Sequence, residues 1–163
     1  MNQTTPARVN EPDAVTHATF TVERTYPVPP ARAFTAFADQ ATKRRWFAEG
    51  RRLGGVRVHA RLPPRWQRSV ALQLPGRPRG RNDTQFQFII PDRRIVFSYR
   101  MTMGARPLSA SLSTVELVPF GAGTHMTYSE QGVYFDGPAL AKGHEEGSRQ
   151  LMERLAEELG NSR

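Results

Sequence analysis

The 163-residue chain has no cysteine, so nothing can lock it by disulfides or supply thiolates to a metal. Its four histidines, at positions 17, 59, 125 and 144, share no ligand spacing, and no metal site is expected. No apolar run approaches the roughly 20 residues needed to cross a bilayer. The first seventeen residues, MNQTTPARVNEPDAVTH, lack the basic start and apolar stretch of a secretory signal and read as a flexible tail. G-x-G-x-x-G, P-loop and G-x-S-x-G patterns are also missing, which removes the usual signatures of a nucleotide site or a serine nucleophile. These absences predict a soluble cytoplasmic protein with no cofactor and no membrane contact.

Acidic residues are missing from one long stretch. Between Arg51 and Asn82 there are nine arginines and no Asp or Glu, against a formal charge of +8 for the whole chain, so the remainder is close to neutral. A nucleic-acid module would interleave stacking aromatics with its cations or present a recognition helix. This segment offers only Trp66 among its arginines, and a solvated loop with no specific nucleic-acid partner is the expectation. A basic hairpin, a polyanion site and a local reading-frame artefact each fit its Arg- and Pro-rich composition.

The rest of the chain carries regular patterns. HATFTVERTYPV reads as a first strand stopped by Pro27, Pro29 and Pro30. Pro30 then opens a short helix with Phe34 and Phe37 on one face, and Asp39 can cap a second that turns Trp46 and Phe47 inward and ends at Gly50. The alternation around Val56 to Leu62 and around Val70 to Leu74 suggests two strands. In TQFQFIIPDRRIVFSYRMTM, Phe86, Phe88 and Ile90 precede a turn at Pro91 and Asp92, and Ile95, Phe97, Tyr99, Met101 and Met103 alternate beyond it. A second hairpin turns at PFGAG and returns through Met126, Tyr128 and Glu130. The last 26 residues before the C-terminal Ser-Arg, DGPALAKGHEEGSRQLMERLAEELGN, predict an amphipathic helix of roughly 33 Å, with Leu140, His144, Gly147, Leu151, Leu155 and Leu159 on the apolar face. Glu145 with Arg149 and Arg154 with Glu158 would pair on the wet side. Such an order describes an α+β domain in which a curved antiparallel sheet wraps a long helix.

The segments FTVERTYPVPPARAFTAFADQATKRRWF, IIPDRRIVFSYRM, SLSTVELVP, GTHMTYSEQGVYFDG and EEGSRQLMERLAEEL resemble, in order and spacing, the START-like (SRPBCC) superfamily. Within it they are similar to the bacterial single-domain group related to the C-terminal domain of the heat-shock-protein ATPase activator. The resemblance covers residues 18–50 and 84–159, and implies a helix-grip (START-like, Bet v 1-like) fold in a single domain, 18–160. It also implies an elongated cavity between sheet and C-terminal helix that holds a hydrophobic or amphipathic small molecule.

Residues expected to line that cavity are Trp46, Phe86, Phe88, Phe97, Tyr99, Met101, Met126, Tyr128, Glu130, His144, Gly147 and Leu151. Plain core packing explains the aromatic face equally well. Glu130 shares the phase of Met126 and Tyr128, so it points inward and needs a partner, either loop amides or His144. Gly147 in mid-helix costs roughly 1 kcal/mol against Ala, which suggests close packing or a ligand surface. Ser109, Ser111 and Ser113 read as polar alternation in a strand. An enzyme of cyclase, hydrolase or dehydratase type using Glu130, Tyr128 and His144 is one alternative, and a co-chaperone-like protein–protein module is another. A homodimer stays open.

Overall fold

The computed structural model describes residues 15–47, 57–58, 67–72 and 80–160. In chain order the elements are β1 (Thr16–Tyr26), α1 (Pro30–Ala38), α2 (Gln40–Phe47), β2 (Arg57–Val58), β3 (Gln67–Leu72), β4 (Gly80–Ile90), β5 (Arg94–Met103), β6 (Arg106–Phe120), β7 (Gly123–Tyr134) and α3 (Pro138–Gly160). The strands form one sheet in the order β1-β7-β6-β5-β4-β3-β2, and every neighbouring pair is antiparallel. Consecutive hairpins build β2 to β7, and β1 adds to the far edge beside β7. This is the expected α+β architecture of a sheet closed by a long C-terminal helix.

Local chemistry sets the element ends. Pro27, Pro29 and Pro30 cannot continue a ladder, and the ring of Pro30 fits the first turn of α1. Asp39 caps α2 by accepting a hydrogen bond from the Thr42 backbone N–H at 2.7 Å. Trp46 is buried where α2 meets α1; its Nε1–H donates to the Ala36 carbonyl at 2.9 Å and its ring meets Phe37 edge-on. The β6–β7 hairpin turns on Gly121, whose φ of 57° is a conformation that glycine adopts without steric cost.

The core is one cluster in which Phe20, Val22, Tyr26, Phe37, Trp46, Ile95, Val115, Met126 and Leu155 are all buried. α3 packs chiefly on β1 and α2, with lesser contacts to β7 and α1. The helix axis therefore lies toward the β1–β7 side of the inner face, away from β4 and β5.

Several sequence expectations need correction. The first strand begins at Thr16, one residue before the His17 start read from the sequence and inside the stretch read as a tail, and His17 pairs with Val133. Phe88 is 56% exposed and does not face inward. A bulge falls between Phe86 and Phe88: Phe86 pairs with Phe97, but Phe88 pairs with Val96, so the extra residue sends Phe88 to the outer face. On α3 Leu155 and Leu159 are buried as expected, but the rest of the buried stripe is Ala141, Ser148 and Met152, and Leu151 is half-buried at its flank. Glu145 and Arg149 do pair, at 2.7 Å. Arg154 instead donates to the Trp46 carbonyl and Glu158 binds Arg45, both tying α3 to α2. The expectations for residues 1–14, for the stop at Gly50 and for most of the arginine-rich segment lie outside the described residues. Within that segment, β2 pairs with β3 and β3 with β4. No helix among the described residues is long and apolar enough to cross a membrane.

Candidate functional site

Cross-strand register divides the inner face into rows. One row runs Asn82, Met101, Ser109, Tyr134, and the next Thr84, Tyr99, Ser111, Gly132. Beyond them come Phe86, Phe97, Ser113, Glu130, Phe20 and then Ile89, Ile95, Val115, Tyr128, Val22. The face is thus rich in hydroxyls at one end and apolar at the other. α3 follows the same division, with His144 and Ser148 toward its start and Met152, Leu155 and Leu159 toward its end.

Glu130 lies where the two halves meet, and its side chain is 0% exposed. The Tyr99 hydroxyl donates to Glu130 Oε1 at 2.7 Å, and the Tyr134 hydroxyl donates to the same oxygen at 3.3 Å. The Tyr128 hydroxyl donates to Oε2, which Ser113 Oγ also approaches at 3.4 Å. His144 Nε2 is 2.5 Å from the Tyr99 oxygen and 3.1 Å from Glu130 Oε1. The Tyr99 proton is committed to Glu130, so the Tyr99 oxygen is an acceptor toward the histidine. Both neighbours of Nε2 are then acceptors, which assigns a proton to Nε2. The imidazole also lies against the Tyr99 ring, with centroids 5.9 Å apart and planes 26° from parallel.

These contacts fix the ionisation of the cluster. Burial pushes the Glu130 pKa up, but bonds and charge from His144, with the Tyr128 and Tyr99 hydroxyls, outweigh it and hold the carboxyl at about 2. Burial, reinforced by the Glu130 charge, drives the Tyr99 and Tyr128 phenols well above their usual value. Tyr134 is pushed up to about 12, again chiefly by burial. At neutral pH the site is one carboxylate ringed by neutral phenols, with the Nε2–H of His144 at its border. Glu130 has no oxygen turned to open space, so its chemical effect is to orient Tyr99 and His144. The His144 side chain, 16% exposed, is the outward member.

Tyr99, Tyr128, Glu130 and His144, all singled out in the sequence, come together here. The partners of Glu130 are hydroxyls and an imidazole, not loop amides. Phe97 and Met101 are half-buried on the same face, with Phe86 buried beside Phe97. Met126 and Trp46 are buried in the core, and Leu151 packs at its edge. Gly147 is not closely packed by the described residues, for a Cβ built there meets none of them within 4 Å. Sequence reasoning missed Tyr134 and the inward serines. Ser109, Ser111 and Ser113 share the phase of buried Val115 and Leu117, a signal that their polarity masked. Among the described residues no three His, Asp or Glu side chains gather as a metal site would require.

A curved antiparallel sheet, a long C-terminal helix and a buried polar cluster between them define a helix-grip domain of the START-like (SRPBCC) superfamily. The chain belongs to the polyketide cyclase/dehydrase and lipid transport family, whose model matches residues 17–160. It is 52% identical to the Mll3558 protein from Rhizobium loti, whose crystal structure has a TM-score of 0.81 over 89% of this chain and 99% of that one. A protein from Rhizobium leguminosarum is 28% identical, with a TM-score of 0.78 over 91% of this chain and 98% of that chain. Ara h 8.0201, at 15% identity, shares the fold with a TM-score of 0.68, covering 88% of this chain and 98% of its own. No curated protein sequence matches the chain.

Proposed function

We propose that this protein binds a hydrophobic or amphipathic small molecule between the β4–β5 half of the sheet and the flank of α3 that carries His144, Gly147 and Leu151. The observation that carries this reading is the Tyr99–His144–Glu130 cluster set beside half-buried Phe97 and Met101. A few fixed polar groups within an apolar surface are what ligand sites require. The position of α3 over β1 and α2 agrees with it, as does the open space beside Gly147.

A thermal-shift titration with naphthalene tests the reading, because a ligand bound only by the folded chain raises the melting temperature. Gly147→Leu should fold and weaken that response, since its side chain enters unfilled space between His144 and Leu151. No response in the wild type, with an unfolded Gly147→Leu, would make the aromatic face plain core.

A second reading is favoured by the 2.5 Å contact between Tyr99 and His144. In it the site moves a proton through His144, with Glu130 and Tyr128 as positioning residues. Loss of turnover in His144→Ala with ligand affinity retained would distinguish it from binding alone.

A further inference from the structure

Two hydroxyls on the inner face make no well-formed hydrogen bond to the described residues. Ser109 Oγ and Ser111 Oγ are buried without a hydrogen-bond partner among the described residues. Ser111 lies beside the Tyr99 and Tyr134 oxygens, near enough to ease their ionisation, yet makes no well-formed bond to either. A buried hydroxyl without a partner is destabilising, so an unpaired couple in successive rows needs an explanation outside the chain's own packing. The serines of this strand are not uniformly idle, because Ser113 is bonded to Tyr128 and approaches Glu130.

Charge narrows the chemistry of the missing partner. Among the described side chains, the buried carboxylate of Glu130 lies at this end of the face with Glu145 near Tyr134, and both Glu130 oxygens already accept hydrogen bonds. Lys43 stands over the Phe47 and Phe86 rings, beside the apolar rows. An anionic group brought to Ser109 and Ser111 would meet the Glu130 charge in a buried setting, where repulsion is weakly screened. A neutral oxygen meets no such penalty and can both accept from and donate to a serine hydroxyl.

Resting on the ligand-binding reading above, we infer that Ser109 and Ser111 form the polar subsite, which takes a neutral hydroxyl or carbonyl group of the ligand and disfavours a carboxylate. The apolar body of such a molecule lies toward Phe97 and Phe86, and its oxygen toward the serines.

Three probes of one shape test this: naphthalene, 2-naphthol and 2-naphthoate, titrated at pH 7 by calorimetry. In the wild type, 2-naphthol should bind about tenfold tighter than naphthalene, the gain expected of one or two hydrogen bonds to unsatisfied groups. 2-Naphthoate should bind more weakly than 2-naphthol. In Ser109→Ala/Ser111→Ala the naphthol advantage should vanish, naphthalene affinity should hold, and the melting temperature should stay level or rise. Equal binding of naphthalene and naphthol, an advantage that survives the double substitution, or tightest binding by naphthoate each overturns the subsite but leaves the ligand site. A double variant that fails to fold overturns it as well, since it would show the hydroxyls to be structural. If none of the three binds, the ligand-binding reading falls and the subsite with it.

Discussion

Tyr134 turns back over Gly132 so that its hydroxyl reaches Glu130, four residues away on the same strand and 3.3 Å distant. A Cβ on Gly132 would stand 2.6 Å from that hydroxyl and 2.7 Å from the ring carbon bearing it. The bare backbone at Gly132 is therefore part of the Glu130 site. This relationship accounts for the EQG-x-Y spacing.

Gly132→Ala should displace the Tyr134 ring and cost about 1–3 kcal/mol, the range for a disrupted buried polar contact. Tyr134→Phe removes only the hydroxyl and should cost less, about 1 kcal/mol. Urea unfolding of both variants checks the order. A neutral Gly132→Ala would mean that the ring has another place to go.

Glu130 should govern the acid limb of stability. Its carboxyl is held at about 2, against 4.5 as the ordinary value. A group depressed in the folded chain contributes stability that is full above the unfolded value and is lost as pH falls from about 4.5 toward 2. The difference amounts to roughly 3 kcal/mol. Glu130→Gln should be less stable than the wild type at pH 7, with a flatter dependence between pH 5 and 2. Parallel acid limbs in the two proteins would contradict the assignment.

Leu155 is fully buried under the sheet, and Leu155→Ala should cost about 2–5 kcal/mol through lost transfer and a cavity. Leu151→Ala, at the half-buried flank, should cost less. Reversal of that order in denaturant unfolding would place the gripped face of α3 elsewhere.

The bulge in β4 gives a paired test. Phe86→Ala should cost about 3–5 kcal/mol as a core truncation, and Phe88→Ala should stay within about 0.5 kcal/mol. Equal losses would restore the uninterrupted alternation that the sequence suggests.

Phe88 shows where sequence reading stops. Gln85, Phe86, Gln87 and Phe88 alternate without a break, and a one-residue bulge leaves no mark in such a pattern, although it inverts every side chain after it. Hairpin turns at Asp92 and Gly121 were legible because their positive φ demands particular residues. Glu130 was legible from its phase with Met126 and Tyr128, and His144 from its place on the final helix. Tyr99 was recognised as inward, but as part of an apolar lining; its role in joining Glu130 to His144 depends on three elements meeting in space. The serines of β6 read as plain polar alternation for the opposite reason. Polar residues are usually outside, and here they mark the hydroxyl-rich end of the interior.

The most direct test of the account is native mass spectrometry of protein purified gently, without detergent. The account predicts a discrete small-molecule adduct that is released on denaturation, or, from emptied protein, an equimolar adduct when 2-naphthol is added back. Only the bare chain mass under both conditions would contradict it.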